Sequence, residues 1–340
     1  MATNLRPASG WPQLGERGPP GAARRTVGQA GAKDKSCQAR ARDRLARSAS
    51  KVKGLFTALL TPFDDEGRVD TDRLSKLVRF QLSNGADGIF PCGSTGLGPM
   101  LTVEERKSVA EAVIATARKK VPVVVQVGAA DTASAVELAK HAEDAGAYAV
   151  ASLTPYYYRP GDRAVAKHFE ALAQAVDMPV LAYNIPQLTG NNLQAKTVAE
   201  LAKRGIISGL KDSSRDFLHL LELMDAVPDR FPVMNGTEEY GLFAINSGAS
   251  GLVSGGASAL PELLASMLSA VRKGDHAAAL AAQNQVRAFK GLVKQNQISA
   301  YYEILRARGM DCGSPRRPLL PLDKVEAKRI TDGLRALGLL

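Results

Sequence analysis

From Gly54 onward, apolar residues alternate between two spacings. Short apolar runs of strand length are followed by stretches with apolar positions three and four residues apart, the helical period. The pattern predicts strands over Gly54–Thr61, Gly88–Cys92, Val121–Val127, Tyr148–Leu153, Pro179–Tyr183, Ile206–Lys211, Phe231–Met234 and Ser250–Val253. It predicts helices between and after them over Asp70–Leu82, Thr102–Lys119, Thr132–Ala145, Asp162–Ala175, Ala195–Lys203, Phe217–Ala226, Glu238–Asn246 and Pro261–Val271. Thr102-Val103-Glu104-Glu105 reads as a capping box opening one of these helices. Alternating strands and helices argue a parallel sheet, and eight such units in this length argue a closed (β/α)8 barrel over an open doubly wound sheet. Beyond residue 275 the strand signal stops. Helices are predicted over Ala277–Lys294, Ser299–Arg308 and Lys324–Leu337. The expected organisation is a tail over 1–53, a TIM barrel over 54–275 and a small three-helix appendage over 276–340.

Composition changes this picture at one end only. The 340-residue chain carries a net charge of +10. Twelve Lys/Arg and three Asp/Glu fall within residues 1–53, a balance of +9, so the remainder is nearly neutral. The basicity belongs to the tail, and the folded part gives no reason to expect a nucleic-acid partner. Gly, Pro, Ala and Arg dominate that tail, which is expected to be disordered. An organelle transit peptide, an arm touching RNA or membrane, and an upstream stretch with no selected role compete for it. Trp11-Pro12 and Pro19-Pro20-Gly21 break an early amphipathic helix and weaken the first. The third is preferred. Cys37, Cys92 and Cys312 lie far apart, with no CxxC, which suits a reducing, cytoplasmic setting. No apolar run reaches membrane-spanning length, so no membrane partner is expected. The four histidines are scattered, so neither a metal site nor a cofactor is called for.

Chemistry in a (β/α)8 barrel gathers at the C-terminal strand ends. Lys211 ends the strand within Gly205–Ser214, where an apolar run gives way to a polar turn. A lysine half-sunk in a barrel loses hydration, and its neutral, nucleophilic form gains. Such an amine attacks ketones to form a Schiff base. The bland alternative is a lysine that snorkels to solvent. Strand two ends in Gly93-Ser94-Thr95-Gly96, whose hydroxyls and N–H groups suit a carboxylate. Tyr183 ends the strand beside the lysine strand, within relay distance for protons. Strand four ends in three successive tyrosines, Tyr156 to Tyr158. The glycines from Gly248 to Gly256 could cradle a phosphate, although close packing is the commoner reason for such a run.

Taken as a set, Thr61-Pro62-Phe63, Gly93-Ser94-Thr95-Gly96, Thr154-Pro155-Tyr156-Tyr157, Tyr183-Asn184-Ile185-Pro186 and Gly209-Leu210-Lys211-Asp212 resemble the dihydrodipicolinate synthase / N-acetylneuraminate lyase family of class I pyruvate aldolases. The resemblance spans about Gly54 to Leu340. It implies Lys211 as the Schiff-base lysine, Tyr183 and Ser94 as a proton relay, and Tyr157 as a residue reaching into an adjacent subunit's site. It implies substrate-binding positions at Thr95, Gly93, Ser213, Gly236, Glu238 and Val253. Pyruvate and an aldehyde are the implied small-molecule partners, and a homo-oligomer, a dimer of dimers, the implied assembly. Synthases of the family carry a glutamate where Leu97 stands and an arginine where Leu188 stands, so the synthase role is disfavoured. Gly96-Leu97-Gly98-Pro99 and Pro315-Arg316-Arg317-Pro318 look more like the 2-keto-3-deoxygluconate aldolase branch. The expected function is thus a lyase acting on a 2-keto-3-deoxy sugar acid. Glu238 is expected to meet its hydroxyls and Arg159, less readily, a phosphate. The rivals are 4-hydroxy-tetrahydrodipicolinate synthase and a non-catalytic barrel that binds a 2-oxo acid.

Overall fold

The computed structural model describes the backbone of residues 27–340 and the side chains from residue 39 onward. The expectations for Trp11-Pro12, Pro19-Pro20-Gly21 and Cys37 lie outside that description. Eight strands form one parallel sheet in the order β2-β1-β8-β7-β6-β5-β4-β3: β1 Gly54–Ala58, β2 Gly88–Phe90, β3 Val124–Gln126, β4 Ala149–Leu153, β5 Val180–Asn184, β6 Gly209–Asp212, β7 Val233–Asn235 and β8 Gly251–Ser254. The seam between β2 and β3 is closed by a parallel bridge between Ile89 and Val123. Hydrogen bonds from Ile89 N to the Pro122 carbonyl and from Gln126 N to the Pro91 carbonyl flank it. The sheet is therefore a (β/α)8 barrel, as the alternation predicts.

Helices α1 Val27–Lys51, α2 Thr71–Ser83, α3 Val103–Ala117, α4 Thr132–Asp144, α5 Asp162–Ala175, α6 Pro186–Thr189 and α7 Ala195–Lys203 precede β6. After it come α8 Phe217–Ala226, α9 Gly241–Asn246, α10 Pro261–Arg272, α11 His276–Val293, α12 Gln297–Ala307 and α13 Lys324–Ala336. Their starts follow local chemistry. Asp70, Asp131 and Asp216 accept hydrogen bonds from first-turn N–H groups of α2, α4 and α8. The capping box at α3 forms as read, with Thr102 and Glu105 each bonding the other's backbone N–H. The helix expected over Glu238–Asn246 is instead a 3₁₀ turn, Glu238–Tyr240, followed by α9.

Alternation along each strand sorts side chains into two layers. Leu55, Val125, Val150, Val180, Ala182, Leu210, Val233 and Leu252 join the helices in the larger apolar core. Phe56, Phe90, Ala151, Leu153, Leu181, Tyr183, Met234 and Val253 fill the barrel interior. In β6, Leu210 belongs to the outer layer, so the next residue, Lys211, points inward. The register sets Tyr183, Lys211 and Met234 side by side on β5, β6 and β7.

Residues 39–53 correct the expectation of a tail without structure up to residue 53. They continue α1, and from Gln38 onward they belong to one compact unit with the barrel and the C-terminal helices. Arg44 is buried and donates to the carbonyls of Ala173 and Val176 at the C-terminus of α5. Carbonyls at a helix end lack intrahelical donors and attract a cation. Val52 enters the apolar cluster of the barrel interior. The C-terminal helices are likewise tied to the barrel. Tyr302 Oη donates to the Thr61 carbonyl at 2.6 Å, and Arg316 makes a two-pronged contact to Glu105 at 2.7 and 2.6 Å. Arg316, part of the motif used to choose a branch, therefore anchors the chain beneath α3.

Candidate active site

The loop after β2 is held by several constraints at once. Gly98 N bonds the Gly93 carbonyl at 3.0 Å, and Thr61 Oγ1 donates to the Gly96 carbonyl at 2.7 Å. A Cβ on Gly98 would sit 1.9 Å from the Cys92 carbonyl oxygen, so only glycine fits there. Cys92 and Leu97 take the left-handed backbone region, which non-glycine residues adopt only when neighbours enforce it. The loop presents Ser94 and Thr95 to the cavity, with Ser94 Oγ 3.4 Å from Tyr183 Oη.

The ends of β5 and β6 are locked together below the site. Asn184 Nδ2 donates to Asp212 Oδ1 at 2.8 Å and to Asn192 Oδ1 at 2.8 Å. Asp212 also accepts from Ser214 Oγ at 2.7 Å. Burial raises the Asp212 carboxyl above its usual range, against the lowering effect of the Ser214 and Asn184 hydrogen bonds. These bonds fix the backbone on which Tyr183 and Lys211 stand.

Lys211 is 4% exposed. Its Nζ lies 4.0 Å from the centroid of the Tyr183 ring and 4.4 Å from that of Phe90. Those two rings meet edge to face, 5.8 Å apart. Among the described residues, Lys211 has no ion pair. It opens into a cavity of about 390 Å3, whose walls include Ser94, Thr95, Ser213, Gly236 and Val253. Gly236 packs closely, because a Cβ there would lie 2.0 Å from Ser213 Oγ and 3.0 Å from the Asp212 carbonyl oxygen.

The other expected positions distribute unevenly. Glu238 lines the cavity, but its carboxylate accepts from Ser254 Oγ at 2.8 Å and Gly256 N at 2.7 Å and pairs with Lys290 Nζ at 3.2 Å. Burial raises the Glu238 carboxyl, and the Lys290 charge together with the hydrogen bonds from Gly256 N and Ser254 Oγ more than reverses this, leaving it below its usual range. Burial likewise pulls Lys290 down, and the Glu238 charge together with Tyr301 and Glu239 more than offsets it, so the ammonium is held above its usual range. Gly93 does not line the cavity and braces the loop through Gly98. Arg159 is also absent from the walls. Tyr157 projects outward, 87% exposed, with its ring edge-on to that of Tyr158. Of the glycines from Gly248 to Gly256, Gly251 packs against the backbone of Gly54, Gly255 against Thr95 and Gly256 against Glu238, while Gly248 has open space beside it and a φ of +107°. Packing accounts for Gly251, Gly255 and Gly256, and the positive φ accounts for Gly248.

Two wall residues escape a reading by motif. Lys290 lies on the buried face of α11 with Ala279, Gln283, Val286 and Val293. A lysine in register with that stripe was the available signal. Its Nζ also donates to Tyr301 Oη at 3.1 Å. Arg215, in the turn after β6, reaches the cavity from a left-handed backbone position.

A closed (β/α)8 barrel with an inward lysine at the end of β6, flanked by tyrosine and hydroxyl groups, has the architecture of a class I aldolase. The chain belongs to the dihydrodipicolinate synthetase family, whose model matches residues 51–337. It is thus a member of a lyase family, an enzyme that makes or breaks carbon–carbon bonds through a lysine imine. Over 297 residues it is 36% identical to a 4-hydroxy-tetrahydrodipicolinate synthase of Chlorobium phaeobacteroides, covering 86% of this chain and 100% of that one. A prophage protein of the dihydrodipicolinic acid synthase family from E. coli, solved with pyruvate, superposes with a TM-score of 0.82 at 27% identity, covering 85% of this chain and 99% of the other. A variant 2-keto-3-deoxygluconate aldolase of Sulfolobus solfataricus gives a TM-score of 0.79 at 28% identity, covering 84% and 96%. Among the described residues, no helix is long and apolar enough to cross a membrane.

Proposed function

We propose that the protein forms or cleaves a 2-oxo acid through a pyruvate imine on Lys211, with a 2-keto-3-deoxy sugar acid as the cleavage substrate. The supporting observation is Lys211 Nζ, buried between two aromatic rings, without a carboxylate partner among the described residues and open to the cavity. In its neutral form the amine attacks the 2-oxo carbon to give a carbinolamine, which loses water to leave the iminium. Tyr183 Oη, next to Ser94 Oγ, carries protons for addition and dehydration. In the cleavage direction, a base takes the proton of the 4-hydroxyl, the C3–C4 bond breaks, and its electron pair moves into the iminium to give the enamine. The aldehyde leaves, the enamine is protonated at C3, and hydrolysis of the imine returns pyruvate and the lysine. Thr95, Ser213 and the loop braced by Gly93 hold the carboxylate of the 2-oxo acid. Gly236, Glu238 and Val253 shape the distal wall.

Leu188 at the cavity wall, where a synthase arginine would stand, supports the aldolase branch, because an apolar side chain leaves an incoming carboxylate unpaired. The second reading is 4-hydroxy-tetrahydrodipicolinate synthase. The names of the relatives favour it, and Arg215 offers a cation from another wall. An idle binding barrel would have no use for the Ser94–Tyr183 contact. Exposed Tyr157 and Tyr158 support an assembly in which Tyr157 enters a partner's site, and the separated cysteines support a cytoplasmic setting.

The test is a kinetic comparison. Pyruvate release from 2-keto-3-deoxygluconate and condensation of pyruvate with aspartate semialdehyde are measured on the full chain. The aldolase reading expects the first to exceed the second at least tenfold in kcat/KM. The reverse order would replace it with the synthase reading.

A further inference from the structure

Two carboxylates are buried at the site, and they are held differently. Glu238 faces the Lys290 ammonium. Asp212 has no ion pair among the described residues and is met by hydrogen-bond donors. Asn184 Nδ2 donates to its Oδ1 at 2.8 Å, and Ser214 Oγ and N donate to its Oδ2 at 2.7 and 3.3 Å. Asn184 cannot turn its amide over, because its Oδ1 already accepts from Leu193 N at 3.0 Å. The arrangement is complete only while Asp212 is ionised. A proton on Oδ1 would meet the Asn184 N–H. A proton on Oδ2 would have to turn the Ser214 hydroxyl around and would still meet the Ser214 N–H.

The place of this carboxylate gives it leverage. Asp212 follows Lys211 on β6, Asn184 follows Tyr183 on β5, and the register sets each beside its counterpart. The Asp212–Asn184 bond thus joins the two strands one residue beyond the lysine and the tyrosine. The Asp212 carbonyl accepts from Gly236 N at 2.6 Å and the Asn184 carbonyl from Ser213 N at 2.8 Å, so the same two residues also hold the turns after β6 and β7. Misplacing a reacting group by about 1 Å costs on the order of 10²-fold in rate. Burial holds the Asp212 carboxyl above its usual range, with the Ser214 and Asn184 bonds pulling the other way. The titratable groups facing it are His219 on α8 and Tyr240 after β7. His219 in turn stands 3.5 Å from Glu222. Lys211, Arg215 and Asp216 are its charged neighbours along the chain.

We propose that ionised Asp212 is a positioning residue, which through Asn184 and Ser214 holds Lys211 and Tyr183 in the geometry for imine formation and releases them when it takes up a proton. The proposal rests on the pyruvate-imine reading of Lys211 and adds control by pH to it. The sign follows from the donors: the lock is closed above the Asp212 carboxyl's titration and opens as the pH falls through it.

The test follows imine formation itself, which needs no aldehyde. The full chain and Asp212→Asn are mixed with pyruvate over a range from about pH 8 to about pH 4, a span that brackets a raised carboxyl. Samples are taken at timed intervals into sodium borohydride, and the reduced adduct on Lys211 is measured by mass. Asparagine is the isosteric stand-in for the protonated carboxyl, because it offers an acceptor to Asn184 or to Ser214 but not to both. At the alkaline end the unmodified chain is expected to lead by about 10- to 100-fold in maximal rate, while the half-saturating pyruvate concentration changes less than about threefold. That lead is expected to shrink toward one at the acid end, where the unmodified chain carries the proton that asparagine mimics. Lys211 and His219 titrate in both chains and cancel from the ratio. Ser214→Ala, which removes a donor to the carboxylate, should move the loss of rate to higher pH by about one pH unit. Equal rates at the alkaline end overturn the proposal. So does a lead that stays constant with pH in chains shown to be folded by circular dichroism, which is what a purely structural role would give. If Asp212→Asn does not fold, Ser214→Ala decides, and an unmoved acid limb overturns the proposal. No adduct on the unmodified chain at any pH refutes instead the imine reading beneath it.

Discussion

The protein buries two lysines in the wall of one cavity and treats them in opposite ways. Lys290, on α11, stands against Glu238 and Tyr301. Lys211, on β6, stands against the faces of Phe90 and Tyr183, with no ion pair among the described residues. A carboxylate at 3.2 Å holds Lys290 protonated, and an ammonium has no lone pair with which to attack a carbonyl. Burial alone therefore does not make a lysine a nucleophile. What faces the amine decides whether it is a structural tie or a reagent. The same comparison explains why Glu238, although it lines the cavity, is a poor candidate for a catalytic base: its oxygens are already engaged.

The sharpest way to break the comparison is to remove each lysine in turn. Lys211→Ala should lower turnover by at least about 10⁴-fold, because among the described residues no other buried wall group supplies an amine without an ion pair. Tyr183→Phe, which keeps the ring beside Lys211 but removes the hydroxyl near Ser94, should lower kcat about 10²- to 10³-fold, read by steady-state kinetics. Lys290→Met should act mainly on stability. It leaves Glu238 buried without its counter-charge, a loss of about 3–5 kcal/mol measured by urea unfolding. Adding Glu238→Gln should return part of that loss, and full additivity would mean the pair is not coupled.

A smaller effect lies outside the cavity. His168 is buried between Thr132 Oγ1 at 3.0 Å and Ser152 Oγ at 2.9 Å, and burial lowers its imidazole to about 4. Between that value and the ordinary value near 6.5, the unfolded chain binds a proton that the folded chain refuses. Stability from this residue is thus complete above about pH 6.5 and is lost as the pH falls toward 4. His168→Gln should flatten that limb of the unfolding profile by about 3 kcal/mol.

Much of this could be read from the chain. Strand and helix periods are local, so the barrel was legible and Lys211 fell at a strand end, whereas its inward direction follows from the packing of Leu210 among the helices. Thr61, Ser94 and Asn184 stand out in sequence because loops at strand ends need small, hydrogen-bonding residues. The Glu238–Lys290 pair did not stand out, since it joins positions 52 residues apart whose meeting depends on how α11 packs. Residues 39–53 misled because their composition suits disorder, whereas their docking depends on Arg44 finding the end of α5 and Val52 entering the barrel interior. Arg215 was hidden by a backbone conformation that sequence alone does not disclose.

The central claim is that reactivity belongs to the unpaired lysine. The full chain is treated with pyruvate and sodium borohydride, digested, and its peptides mapped by mass. The account predicts one reduced pyruvate adduct, on Lys211, with Lys290 unmodified. No adduct on the folded protein, or an adduct on Lys290, would contradict it.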